Sequence, residues 1–190
     1  MIFPVIDLLR MITLHPDGAR ILLKHSGDGN DVLVELTKVT RSSPLPPNLL
    51  TSIRFVTNLF KSSIFHDWLQ KRRAEILDTF SSSYSSSNKN VQVAYSTLIL
   101  NYAILLIEKK DEEGQAQVLS AALKIAEEEN LEGESRYRAL VAIGSLMLEG
   151  LVRRIALNFD VENIAKAAKA SRDSKIAEVG ADIELIPKQS

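Results

Sequence analysis

The sequence predicts an all-α protein, and more narrowly an armadillo/HEAT-like helical solenoid with a concave groove. Three observations carry that expectation. Apolar residues recur at helical spacing, and no alternating strand pairs interrupt them. Three stretches, RFVTNLF, TLILNYA and LVAIGSL, place Asn58, Asn101 and Gly144 at successive intervals of 43 residues. Each stretch follows a more amphipathic segment, at 31–40, 66–80 and 115–128. A helix pair recurring every ~40–47 residues is the armadillo/HEAT signature. One pair cannot bury its own apolar face, so neighbours stack into an array.

The elements follow in order. A first helix is expected over 4–14, with Pro4 in its first turn, where a missing N–H leaves no bond unmade. His15-Pro16-Asp17-Gly18 reads as a turn, with a short helix following through Leu23. HSGDGND (25–31) reads as a loop, and Asn30 or Asp31 is suited to cap a helix over 31–40. SSPLPPN (42–48) breaks the chain before an apolar helix at 50–60. An amphipathic helix is expected over 66–80, a polar loop over 81–90, and a long apolar helix over 91–106. Gly114 precedes a helix over 115–128 that ENLEGES ends, and another over 135–149 closes at Gly150. Asp160 and Ser171 are expected to cap two final helices. The single domain then covers 3–186, with a frayed tail at 187–190.

Composition narrows the function. The 190 residues suffice for one sizeable core, and 45% apolar with 25% charged content is ordinary for a globular chain. The net charge of −1 speaks against nucleic acid as a partner, so any electrostatic recognition rests on local clustering. With no cysteine, disulfides, thiolate metal sites and thiol catalysis are excluded. MIFPVIDLLRMITL lacks the basic region of a signal peptide and carries Asp7 and Arg10. No uncharged run approaches the ~20 residues that cross a bilayer, so no membrane partner is expected. There is no Asn-x-Ser/Thr acceptor. A cytoplasmic or nuclear monomer without a cofactor is the expectation.

The helix at 50–60 raises a sharper question, because it sets Arg54 and Asn58 among Ile53, Phe55, Val56, Leu59 and Phe60. Thr51, Arg54, Asn58 and Lys61 step by three or four and form one narrow polar stripe. The rest of the helix must be covered by neighbours. Similar stripes run through Asn90, Thr97 and Asn101, and through Ser135, Arg138, Ser145 and Glu149. These are the expected lining of the groove. An Asn amide offers both a donor and an acceptor to an extended peptide backbone, and an Arg fork matches a carboxylate. The plainer reading is that the asparagines bond to neighbouring helix ends and the arginines are solvated. Their recurrence at one periodic position favours the groove.

Other chemistries fail on spacing. His15, His25 and His66 lack metal-ligand intervals. A calcium loop starting at Asp28 would need Gly and Glu where Leu33 and Val39 stand. Gly27 and Gly29 follow no strand, so no dinucleotide site is expected. No nucleophile elbow or nucleophile–base pair is visible, so catalytic residues are expected to be absent. Lys71, Arg72 and Arg73 in QKRRAEIL read as a solvated face, with an acidic membrane surface or nuclear signal as the alternative. The Ser81–Ser87 run is a plain loop or a phosphorylation site.

FPVIDLLRM (3–11), SIRFVTNLF (52–60), NKNVQVAYSTLILNYAILL (88–106), EGQAQVLSAAL (113–123) and YRALVAIGSLM (137–147) resemble the PUL domain. This is the C-terminal domain of eukaryotic phospholipase-activating proteins. The similarity runs in order from Phe3 to about Leu185, and its most specific parts are Asn-Lys-Asn…Leu-Asn-Tyr-Ala and Arg-x-Leu-Val-Ala-Ile-Gly. The resemblance implies an armadillo-like array whose groove binds the acidic C-terminal tail of valosin-containing protein, a AAA+ ATPase of ubiquitin-dependent protein extraction. It implies that basic groove residues recognise the tail, with Arg54 and Arg138 in the matching motifs and Asn58 and Asn101 beside them. The family domain usually extends by about one more helical unit before the FPVIDLLR block. This chain is therefore expected to be a fragment, a short variant or a divergent member. The alternatives are a structural array packed against a neighbouring domain, or a module for a different acidic or phosphorylated peptide.

Overall fold

Prolines mark where three of the helices begin, since their fixed φ suits a first turn and their absent N–H is not needed there. The computed structural model describes residues 2–25, 31–128 and 130–186, and all regular structure among them is helical. Pro4 lies in the first turn of α1 (Phe3–Ile12), Pro16 opens α2 (Pro16–His25), and Pro46 and Pro47 open α4 (Pro46–Leu59). Between them lies α3 (Val32–Ser42). Then come α5 (His66–Phe80), α6 (Lys89–Glu108), α7 (Glu112–Glu127) and α8 (Gly133–Leu148). The chain closes with α9 (Arg153–Asn158), α10 (Val161–Lys169) and α11 (Ser174–Leu185). The expected pairs thus appear in sequence as α3 with α4, α5 with α6 and α7 with α8. Asn58, Asn101 and Gly144 fall on their second members.

Packing divides the chain into two compact units, residues 1–94 and 95–190, with the boundary inside α6. In the first, α4 packs against α1, α3 and α5. Ile53, Phe55, Val56 and Leu59 of α4 are buried with Phe65, Leu69, Ile76 and Phe80. Polar bonds tie α3 to α5 at three levels. Trp68 Nε1 donates to Asp31 Oδ2 at 3.1 Å, Arg41 Nε donates to Thr79 Oγ1 at 2.9 Å, and between them the Thr37 hydroxyl, whose proton goes chiefly to the Val34 carbonyl at 2.7 Å, lies 3.3 Å from Glu75 Oε1. A buried 2.8 Å hydroxyl pair, Thr40 with Ser52, joins α3 to α4. Thr40 Oγ1 gives its proton to the Leu36 carbonyl at 2.8 Å, so the buried Ser52 hydroxyl donates to it.

In the second unit α8 packs on α7 and α11, and α10 on α11. Fully buried Gln115 holds it together at one end. Its Nε2 donates to the Leu106 carbonyl at 3.0 Å, and its Oε1 accepts from the Leu151 N–H at 2.7 Å. One amide thereby pairs a loop N–H and adds a second donor to the Leu106 carbonyl, which also accepts from the Asp111 N–H at 3.0 Å. At Gly180 helices α10 and α11 touch so closely that a Cβ would lie 2.5 Å from the Lys169 nitrogen and 2.8 Å from the Ala168 Cβ.

Several local expectations need correction. Pro16-Asp17-Gly18 forms the first turn of α2, and the chain reverses over residues 13–15 instead. The glycine loop, with Asn30, lies outside the described residues, but Asp31 does cap α3, accepting from the Val34 N–H at 3.3 Å. The serine run opens with a 3-10 turn over Ser81–Ser85. Gly114 lies inside α7, and Asp111 is the cap, accepting from the Gly114 N–H at 2.9 Å. Asp160 precedes α10 but makes no capping bond; it sits at φ 61° and accepts from the Asn163 amide. Asp173, not Ser171, caps α11, accepting from the Lys175 N–H at 3.0 Å. The short α9 was not anticipated, and the tail at 187–190 lies outside the described residues.

The bilayer argument also needs correction. Residues 90–107 are uncharged, and α6 is long and apolar enough to cross a membrane by length and composition. Within the fold 56% of that stretch is buried. A helix enclosed by other helices must be apolar on more than one face, so it passes the same test as a spanning helix.

Candidate functional site

The polar face of α4 is built by contrast with what surrounds it. Ile53, Phe55, Val56 and Leu59 are drawn into the core, which turns Arg54 outward. Thr51 is engaged locally, its Oγ1 donating to the Pro47 carbonyl at 2.8 Å. Arg54 is exposed and has no hydrogen bond or ion pair among the described residues. One turn on, half-buried Asn58 holds its Nδ2 out of water with no acceptor among them. Lys61, just past the end of the helix, is exposed and likewise without a partner among them. Native structures leave few buried donors unsatisfied, and each such donor calls for an explanation. The stripe therefore presents two cations, with one unused amide donor buried beside them.

The corresponding face of α6 and α8 is arranged differently. Arg138 is half-buried and already engaged: Nε donates to Glu134 Oε1 at 2.8 Å, and Nη1 donates to the Thr97 hydroxyl. Glu134 lies four residues before Arg138, a spacing that pairs charges on one helix face. That i,i+4 signal was present in the sequence and was missed. Asn101, one turn beyond Thr97, is half-buried and makes no side-chain hydrogen bond among the described residues. Ser145 Oγ donates to the Val141 carbonyl at 2.9 Å, while Glu149 is exposed.

Thus Arg54 and Asn58 stand together in the first unit, and Asn101 and Arg138 share a neighbourhood through Thr97 in the second. The basic trio divides as well. Arg72 lies 3.2 Å from Glu75 and 3.9 Å from Asp31, Arg73 donates to the Gln70 carbonyl, and Lys71 is exposed. Among the described residues no group of three His, Cys, Asp or Glu is placed to hold a metal ion.

The PUL domain model matches residues 1–182, nearly the whole chain and both units. The chain belongs to the PUL family. Over 147 residues this PUL domain is 31% identical to the phospholipase A-2-activating protein of Xenopus laevis, covering 77% of the chain and 18% of that protein. Over 152 residues it is 26% identical to the ubiquitin homeostasis protein lub1 of Schizosaccharomyces pombe, covering 76% of the chain and 19% of that protein. The chain thus spans about a fifth of the length of these relatives.

Proposed function

We propose that this PUL domain is a non-enzymatic adaptor of the ubiquitin pathway whose polar α4 face captures an acidic, extended peptide. The partner proposed is the C-terminal tail of valosin-containing protein, met in the cytoplasm or nucleus. The observation that carries the reading is the unengaged triad on α4: Arg54 and Lys61 without a counter-ion, and the Asn58 amide without an acceptor, among the described residues. An extended peptide supplies what these groups lack, a carbonyl for the amide and carboxylates for the cations. The likeness to a ubiquitin homeostasis protein supports the pathway. The proposal includes an armadillo/HEAT-like solenoid with a concave groove, supported by the 43-residue recurrence of helix pairs. Arg138 enters it in a different role, since it must share its guanidinium between Glu134 and any incoming carboxylate.

The test is fluorescence anisotropy with a labelled peptide copying that tail, at two salt concentrations, with Arg54→Ala and Arg138→Ala beside the wild type. Saturable binding that weakens with salt and drops with Arg54→Ala is expected. If both variants bind as the wild type does, the face has been misassigned.

A second reading, a structural module packed against a neighbouring domain, has its own observation. Val5, Leu8 and Met11 of α1 are 61%, 63% and 54% exposed, and they step by three along one helix face. Such a face is suited to burial by another part of a longer polypeptide. The two readings use different helices and are compatible.

A further inference from the structure

The second unit contains a cavity of about 510 Å³ between α8 and α11 that the α4 reading does not use. Val141 and Leu148 of α8 and Val179 and Ile183 of α11 form its apolar walls. Gly144 stands at the position that Asn58 and Asn101 occupy in the two preceding stretches, and without a side chain it leaves the wall open. A helix-interior glycine disfavours the helix relative to alanine. Packing does not require it here, because an added Cβ would meet only Ile183 Cγ1, at an ordinary contact distance of 3.4 Å.

Two carboxylates, Glu149 and Asp182, line the cavity, and both side chains are exposed with no counter-ion among the described residues. Among the described residues no Lys or Arg lines it. Arg153 reaches the lining residue Ile186, donating to its carbonyl at 2.7 Å. An apolar pocket with an acidic rim complements an apolar side chain flanked by positive charge.

We infer that the α8–α11 cavity is a second docking site, taking a short peptide segment of a protein partner in which a leucine-like side chain is flanked by lysine or arginine. Its charge preference is opposite to that proposed for α4. The apolar anchor fills the space beside Gly144, and the flanking cations approach Glu149 and Asp182. No chemistry beyond this complementarity is required.

The test is amide-resolved NMR titration of the whole chain with three synthetic peptides: Gly-Ser-Lys-Leu-Leu-Lys-Ser-Gly, its Glu-for-Lys counterpart, and its Ser-for-Leu counterpart. Saturable shifts at the Gly144, Ser145 and Val179 amides are expected with the first peptide alone. In the E149K/D182K variant, whose two changes lie on the surface, affinity for that peptide should fall about tenfold. Retained amide dispersion distinguishes this loss from unfolding. Equal shifts with the glutamate peptide would overturn the charge assignment, and equal shifts with the serine peptide would overturn the apolar anchor. Absence of localised shifts with all three would overturn the site. None of these outcomes bears on α4, whose tail binding is read separately.

Discussion

Helices α4 and α8 carry stripes of the same kind in sequence, an arginine followed by small polar groups at helical steps, but the fold uses them in opposite ways. On α4 the arginine extends into solvent and Asn58 keeps an unused donor. On α8 the arginine is held by Glu134 from its own helix and by Thr97 from α6. The difference arises from what lies one turn earlier. Arg138 has a carboxylate four residues before it, whereas Leu50 holds that position before Arg54. A polar stripe is thus a binding surface only where its neighbours leave it unsatisfied, and an i,i+4 counter-ion is enough to convert it into local structure.

Four substitutions break or sharpen this contrast, from the largest effect to the smallest. Phe55→Ala empties a fully buried position beneath the α4 stripe, and should cost about 3–5 kcal/mol in urea unfolding. Tail binding should be lost with the helix that presents Arg54. In the other unit, Gln115→Ala strips the Leu151 N–H of its partner and leaves the Leu106 carbonyl with the Asp111 N–H alone. About 2–3 kcal/mol of stability should go, seen as early amide exchange around residues 106 and 151.

Arg54→Ala should do the reverse of these two. Because Arg54 bonds to nothing among the described residues, the melting temperature should stay within a degree or so, while tail affinity falls by about 1–3 kcal/mol if the contact is charge-assisted. An unchanged affinity would remove α4 from the proposed site. The smallest effect belongs to Arg138→Ala, since both its partners are partly solvated. A loss of about 0.5–1 kcal/mol is expected. In a double-mutant cycle with Glu134→Ala, the pair should account for much of it. A null coupling would mean that Arg138 is as unengaged as Arg54.

Much of this was legible in the chain before folding was considered. Helical periodicity and the 43-residue recurrence determined an all-helical protein of successive helix pairs, because these signals are local and reinforce one another, whereas of the prolines only Pro4 reads as a helix start. The span of α5 was read to the residue, and α4 differed mainly at its start, where two prolines open the helix instead of ending the loop. Caps were less legible: Asp111, Asp173 and Ser171 are all plausible by type, and only backbone geometry chooses among them. By itself, then, the sequence determined that the chain is all-helical, where its longer helices run, and which face of them is polar. Beyond local pairs such as Glu134 with Arg138, only the tertiary structure decided which polar groups are engaged. Their partners lie far along the chain: Thr97 is 41 residues from Arg138, Trp68 is 37 from Asp31, and Leu151 is 36 from Gln115. A hydrogen bond is made by proximity in space, and no periodicity within one helix encodes what a different helix brings to it.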